Sequence, residues 1–319
     1  MIIVSEDISK AAKILMEESL VAIPTETVYG LAGNIYSEKA IRAIFEMKQR
    51  PFFNPLIVHI KSIAQLDELA KDIPEKARLL ADKFWPGPLT MVLKKQESVP
   101  DLVTAGKDSV AIRIPNHAAT LALLELLDFP LAAPSANPFG CISPTSASHV
   151  VEYFGKKLRM VLDGGECHNG IESTIIGFEN EEPVLYRLGS ISVEDIEGVI
   201  GKVKIKNKKE NAPDAPGMLT KHYAPTTPTF LESDVAKFIK RFPEKKIGLI
   251  LFNKKIDSKN VIHQEILSEK GDLKVAASNL YASMHRLDKM ELDMIVAEQF
   301  PDFELGKSIN DRLERATAK

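Results

Sequence analysis

The chain has 319 residues, 45% of them hydrophobic and 27% charged, the balance of a globular chain long enough for two domains and not of a disordered one. Forty-one basic residues against 44 acidic ones leave a formal net charge of −3, which excludes a surface coated in positive charge for non-specific nucleic-acid binding but is compatible with a local basic cleft. Cys141 and Cys167 are too few for a disulfide framework or a cysteine-based zinc site, no apolar run reaches the ~18–20 residues a bilayer span needs, and residues 1–15 lack a signal-peptide pattern, so the expectation is a cytoplasmic protein with no membrane attachment.

In chain order, residues 2–4 read as a strand, and Ile8, Ala11, Ala12, Leu15 and Met16 trace one face of a helix. A strand at 21–24 is closed by Pro24, and Ser37 is placed to cap a helix that runs to about Lys48. The apolar run LIVHI at 56–60 predicts a buried strand, with helices at 63–69 and 74–84 before the Trp85-Pro86-Gly87-Pro88 turn. Strands are expected at 89–93, 110–114, 131–133, 159–162, 173–178 and 184–188, with helices at 117–127, 145–154 and from Val193. From about residue 201 the chain becomes rich in lysine and proline and poor in large apolar residues, the composition of a linker. Beyond it, helices at 235–242, 273–287 and 309–316 alternate with strands at 246–252 and 293–297, a small αβαβα rhythm. The expected division is therefore 1–201, a linker at 202–229, and a small Rossmann-like unit at 230–319.

Familiar nucleotide signatures are missing. There is no G-x-G-x-x-G, no G-x-S-x-G, and Gly306-Lys307-Ser308 lacks the upstream glycine of a P-loop, whose place is taken by Pro301. His285 and the Cys167-His168 pair stand alone and read as ordinary core or surface residues more readily than as metal ligands.

What remains is a series of polar clusters in loops that follow strands, where α/β proteins hold ligands. In Pro24-Thr25-Glu26-Thr27-Val28-Tyr29-Gly30-Leu31, hydroxyls and a carboxylate follow a broken strand, which suits a binding loop or an ordinary capped turn equally. Lys48 and Arg50, two apart in a loop stiffened by Pro51 and Pro55, suit phosphate binding, but spacing alone slightly favours cations offsetting a helix dipole. His59 inside its strand needs a polar partner if it faces a cleft. Alternation in Ser109-Val110-Ala111-Ile112-Arg113 puts Arg113 on the face of Ser109 and Ala111, where it must meet a substrate carboxylate or a structural Asp or Glu. Small residues in Ala133-Pro134-Ser135-Ala136-Asn137 let backbone approach a ligand closely, and further clusters sit at Asp163-Gly164-Gly165, Glu172-Ser173-Thr174 and Tyr186-Arg187-Leu188-Gly189. With no Ser–His–carboxylate set in view, Ser135, Ser143 and Ser173 read as hydrogen-bonding anchors sooner than as nucleophiles.

In this order the segments PTETVYGL (24–31), KQRPFFNPLIVHI (48–60), WPGPLT (85–90), SVAIRIP (109–115), APSAN (133–137), IESTI (171–175), YRLG (186–189) and APGMLTKHYAP (215–225) resemble the YrdC-like family, in its two-domain L-threonylcarbamoyladenylate synthase branch. The resemblance implies an α/β fold: a twisted mixed-sheet YrdC-like domain with a concave, positively charged cleft, followed by the small Rossmann-like unit. It implies an enzyme that joins L-threonine, bicarbonate and ATP into threonylcarbamoyl-AMP with release of pyrophosphate, for the threonylcarbamoyl modification of tRNA adenosine next to the anticodon by a separate transferase. Carried over by position, Thr27, His59, Arg113, Ala133 and Ser173 would bind threonine. Lys48, Arg50, Asn54, Ser109, Ser135, Ser143, Arg187 and Tyr223 would surround ATP, with Lys48 and Arg50 as the catalytic charges. His222 would belong with Tyr223 to a gate over the nucleotide, and Asn137 lies in a matched loop. Mg²⁺ is expected with ATP, without an all-protein metal cage. The competing readings are a tRNA- or double-stranded-RNA-binding module without adenylate synthesis, and a carbamoyltransferase using carbamoyl phosphate.

Overall fold

The computed structural model describes residues 2–207 and 222–317, so residues 215–221 of the expected linker motif lie outside the described residues while His222 and Tyr223 lie within them. The first part runs β1 (Ile3–Ser5), α1 (Ile8–Met16), β2 (Val21–Ile23), β3 (Gly30–Asn34), α2 (Glu38–Lys48), β4 (Ile57–His59), α3 (Leu66–Leu69), α4 (Glu75–Phe84), β5 (Leu89–Lys94), α5 (Asp101–Thr104) and β6 (Ser109–Arg113). It continues through α6 (Ala118–Glu125), β7 (Leu131–Ala132), α7 (Ala147–Phe154), β8 (Met160–Leu162), β9 (Thr174–Glu179), β10 (Glu182–Arg187), α8 (Val193–Ile200) and β11 (Lys204–Ile205). Ser37 caps α2 as expected, its hydroxyl accepting from Ala40 N.

Among the described residues these strands form one mixed sheet in the order β1-β8-β2-β3-β7-β4-β6-β5-β9-β10-β11. Its β1–β8–β2–β3 end is covered on one face by α1 and α6, through Leu15, Leu123 and Leu127 against Val21, Ile23 and Met160. The main core lies on the other face, where α2, α4 and α8 pack through Ile44, Leu80 and Ile196. Behind β4, β6, β5, β9 and β10 that helical layer is matched, on the opposite face, only by a small strand cluster of Ile57, Val92, Ala111, Ile175, Val184 and Tyr186. This uneven covering gives the sheet a concave face on which ligand-sized space remains.

The second unit runs β12 (Thr229–Glu232), α9 (Val235–Ile239), β13 (Ile247–Leu251), β14 (Val261–Ile266), α10 (Leu273–Asp288), β15 (Met294–Glu298) and α11 (Leu305–Thr317). Its four strands are parallel in the order β12-β15-β13-β14. α9 packs on one face and α10 and α11 on the other. The cluster under α10 and α11 also takes in Val28, Ile142, Ile171 and Tyr223, so one apolar core runs from this unit into the first. At the seam Gly170 has φ +67°, and a Cβ there would lie 2.1 Å from Ser278 O, so the close approach of α10 requires glycine.

Strands β3, β11, β12 and β14 were not expected from the sequence. β3 (GLAGN) is built of small residues that read as a turn, and β14 (VIHQEI) carries His263, Gln264 and Glu265 at an exposed sheet edge, where polar residues are ordinary. The second unit is accordingly βαββαβα, where the apolar pattern alone predicts αβαβα. Gly306-Lys307-Ser308 lies within α11, with Lys307 Nζ 2.7 Å from Glu194 Oε1 and Ser308 Oγ donating to Gly189 O, so it serves the seam between units.

Candidate functional site

A cavity of about 580 Å³, counted with its open mouth, sits on the concave face and is walled by the loops the sequence singled out. Thr25, Thr27, Val28 and Gly30 come from the β2–β3 connection, Ile57 and His59 from β4, Arg113 from β6, and Ala133, Pro134 and Ser135 from the loop after β7. Glu172, Ser173 and Arg187 close it from β9 and β10, Arg50 from the loop after α2, and His222 and Tyr223 from the segment between the units.

The β2–β3 loop holds its shape locally. Thr25 Oγ1 donates to Val28 O at 2.6 Å and accepts from Thr27 N and Val28 N, so one hydroxyl closes the turn that Pro24 opens. Thr27 Oγ1 then accepts from Arg113 Nη1 at 2.9 Å. His59 and Arg113 are register partners across the parallel β4–β6 pair, which sends both side chains to the same face. Arg113 also donates to Gly87 O, and its Nη2 lies 2.7 Å from Glu26 Oε2, a contact without hydrogen-bond alignment. The structural carboxylate weighed for Arg113 is thus present, and the guanidinium still faces the cavity. His59 Nδ1 is buried without a hydrogen-bond partner among the described residues, and burial next to Arg113 pushes its pKa down to about 3, so the ring is neutral at pH 7.

Two further arginines line the cavity. Arg50 is fixed to its own loop by Nη2 to Asn54 Oδ1 at 2.6 Å and to Pro55 O at 2.8 Å, and burial beside Arg187 lowers its pKa to about 9. Arg187 donates to Ser173 O and to Ser173 Oγ at 2.8 and 2.9 Å, and Ser173 Oγ also meets Thr90 Oγ1 at 2.8 Å. A Cβ on Gly189 would lie 2.4 Å from Ser173 C, so the glycine of YRLG lets this strand end press against Ser173. Glu172 sits among these cations. Burial alone would raise its pKa, but Arg312, Arg187 and the Ser143 hydroxyl hold it at about 2.

Of the residues singled out by the sequence, Thr27, His59, Arg113, Ala133, Ser173, Arg50, Ser135, Arg187, His222 and Tyr223 meet in this one cavity. Lys48, Asn54, Ser109, Ser143 and Asn137 are outside its lining. Lys48 is buried and donates to Ser135 O and Asn137 O, both at 2.5 Å, so it anchors the 133–137 loop from behind. Asn54 holds Arg50, and Ser143 Oγ donates to Glu172 Oε1 at 2.5 Å. Asn137 donates to Pro138 O and Cys141 O, and its Oδ1 is buried without a partner among the described residues. Sequence reasoning gave no role to Glu26, Thr90 or Glu172, although all three stand inside quoted motifs, and none to Arg312 and Tyr281, which close on Glu172 from the second unit. No cluster of three or more His, Cys, Asp or Glu side chains suited to a metal occurs among the described residues, and no described helix is long and apolar enough to cross a membrane.

A cavity with three arginines at 7% exposure or less, faced by hydroxyls, suits a small anionic ligand better than the grip of an RNA duplex on a surface. The family model described as "Telomere recombination", that of the Sua5, YciO and YrdC proteins, matches residues 13–189, and that of the threonylcarbamoyl-AMP synthase C-terminal domain matches residues 191–318. The chain belongs to this family, in its two-domain branch. It is 42% identical over 321 residues to the threonylcarbamoyl-AMP synthase of Pyrococcus abyssi, covering 96% of this chain and 93% of that protein. It is 38% identical over 319 residues to the enzyme of the same name from Bacillus subtilis, covering 97% and 92%. Its fold matches the crystal structure of P. abyssi Sua5 complexed with L-threonine with a TM-score of 0.92, at 42% identity and over 99% of this chain and 97% of that one.

Proposed function

We propose that this chain is a threonylcarbamoyl-AMP synthase whose cavity holds L-threonine beside Arg113 and ATP beside Arg50 and Arg187. The observation that carries the assignment is the meeting, in one cavity, of the Arg113 guanidinium among hydroxyls and apolar side chains with two further buried arginines, Arg50 and Arg187. Arg113 takes the amino acid's carboxylate, Thr27, Ser173 and neutral His59 supply uncharged hydrogen-bonding groups, and Ala133 leaves room beside them. Arg50, Ser135 and Arg187 take the nucleotide under Tyr223. Lys48, Asn54 and Ser143 act one step back, by holding Ser135, Arg50 and Glu172. Ser109 belongs to the strand that carries Arg113, and Asn137 to the loop held by Lys48. The 202–229 segment supplies His222 and Tyr223 as the gate.

In the reaction, threonine's deprotonated amine adds to the carbon of bicarbonate and water leaves, giving a carbamate. A carbamate oxygen attacks the α-phosphorus of ATP and pyrophosphate departs. Such a displacement needs alignment and charge neutralisation and no protein nucleophile, which fits a site of arginines and hydroxyls. The carbamate hydrolyses readily, so a gate that keeps water out favours transfer. Mg²⁺ would suit this donor set only as a companion of ATP, neutralising charge on the phosphates, because Glu172 is already engaged by Arg312, Tyr281 and Ser143 and offers it no free carboxylate. The product then serves a transferase that modifies tRNA adenosine next to the anticodon, in the cytoplasm.

The deciding experiment measures pyrophosphate release from ATP with threonine and bicarbonate omitted in turn, and identifies the adenylate by mass spectrometry. Release that requires both, with threonylcarbamoyl-AMP present, is the expected result. Release indifferent to threonine refutes the assignment.

A further inference from the structure

The second unit reaches the cavity wall at one carboxylate. Tyr281 of α10 and Arg312 of α11 are both 0% exposed. Arg312 Nε lies 2.9 Å from Glu172 Oε2, and the Tyr281 hydroxyl lies 3.0 and 2.9 Å from the two Glu172 oxygens. Arg312 Nη2 donates to Leu188 O at 2.6 Å, next to Arg187. The same guanidinium stands 5.1 Å over the ring of Tyr223, and His222 N donates to Arg315 O at 3.2 Å. α11 therefore grips both the gate residues and the carboxylate of the wall beneath them. Tyr223 is held there with φ 62°, a left-handed backbone that a bulky residue keeps only when its surroundings fix it.

We infer that Arg312 is a positioning residue for the nucleotide side of the site: it seats Tyr223 over the cavity and fixes Glu172, so the second unit sets how ATP is held without touching it. The inference rests on the reading above of Arg50, Ser135, Arg187 and Tyr223 as nucleotide ligands. Interdomain adhesion is a weaker account of the pair. The apolar cluster under α10 and α11 already joins the units, and a fully buried ion pair adds little net stability over an apolar one. What the charges add is direction, because they tie a gate residue and a wall residue to one guanidinium.

The test uses the full chain with Arg312→Gln, Arg312→Lys and Tyr281→Phe, in wild-type and Tyr223→Ala backgrounds. ATP KM and kcat come from threonine-dependent pyrophosphate release, and threonine Kd from calorimetry without nucleotide. Arg312→Gln is expected to raise ATP KM about tenfold while threonine Kd moves less than about twofold, with Arg312→Lys recovering part of the loss. In the Tyr223→Ala background the same change is expected to cost less than about threefold, because its route through Tyr223 is gone. An equal factor in both backgrounds, or a threonine Kd that shifts as much as ATP KM, overturns the inference. Should Arg312→Gln fail to fold, Tyr281→Phe decides: a rise in ATP KM of about threefold supports the inference, and an unchanged KM overturns it. A wild-type chain without threonine-dependent release refutes the underlying assignment, whereas an active wild type with additive variants refutes this inference alone.

Discussion

Arg113 has two roles in this account, and they separate experimentally. It is 3% exposed and stands 2.7 Å from Glu26, itself 6% exposed with neither carboxylate oxygen hydrogen-bonded among the described residues. Arg113→Gln therefore leaves a buried carboxylate with its counter-charge removed, a loss of about 3–5 kcal/mol of folding stability. Adding Glu26→Gln removes the stranded charge, and the double variant is expected to regain most of that loss, leaving about 1–2 kcal/mol for imperfectly paired amides. Threonine binding is expected to behave differently. A charge-assisted bond to a carboxylate contributes about 1.5–3 kcal/mol, so threonine Kd should rise about 10- to 150-fold in the single variant. It should stay raised in the double. Urea melts give the first quantity and calorimetry with threonine the second, both near pH 7.5. If threonine affinity returns together with stability in the double variant, Arg113 was only holding the fold and the carboxylate assignment fails.

The remaining predictions concern acid, the seam and the metal. His59 and His222 are held at pKa about 3 by burial, while unfolded rings take protons below about pH 6.5, so the unfolded state binds more protons in that window and stability falls as pH drops from about 6.5 toward 3. Glu172, lowered from 4.5 to about 2, adds a loss of the same sign below about pH 4.5. Urea midpoints measured from pH 7 to 5 should fall, and less steeply in a His59→Asn/His222→Asn variant; an unchanged slope would show that these rings already titrate normally. Gly170→Ala should cost about 2 kcal/mol or more, since its φ is +67° and Ser278 O blocks the new Cβ at 2.1 Å, and a thermal melt within about 0.5 kcal/mol of wild type would contradict the close approach of α10. EDTA should abolish pyrophosphate release yet leave threonine binding without nucleotide unchanged; threonine binding that collapses with EDTA would put a metal on the protein itself.

The concave face itself has an electrostatic logic that single residues do not convey. Arg50, Arg187 and Arg312 are all buried, at 7%, 5% and 0% exposure, and burying like charges together is costly. Burial beside Arg187 lowers Arg50 toward 9, and burial lowers Arg187 as well. Glu172 offsets part of this charge and answers chiefly to Arg312, and Arg50 and Arg187, both in the cavity lining, contribute to the field a triphosphate would meet. Cations fixed in place before a ligand arrives can direct binding energy to the phosphoryl centre without reorganising during the reaction.

How much of this was legible in the sequence depends on the range over which each feature is set. The Ser37 cap, the α2 stripe and the alternation around Arg113 are local patterns, and the structure follows them within a residue or two. The loops rich in hydroxyls and glycine stood out in the sequence as candidate ligand loops, though each taken alone suited a capped turn as well, and the fold brings most of them to one cavity. Two things were not legible. Lys48 and Arg50 sit two apart and look equivalent, yet the left-handed Gln49 at the end of α2 (φ 53°) turns the chain between them, so that Arg50 faces the cavity and Lys48 the back of the 133–137 loop. Spacing cannot report that turn. Nor can it report Arg312, which is 0% exposed and bonded both to Asp311 beside it and to a carboxylate 140 residues earlier. A charge becomes a core residue only when the fold supplies its partners, and one of the two here, Glu172, belongs to the other unit. The second unit was therefore legible as a fold before it was legible as part of the site.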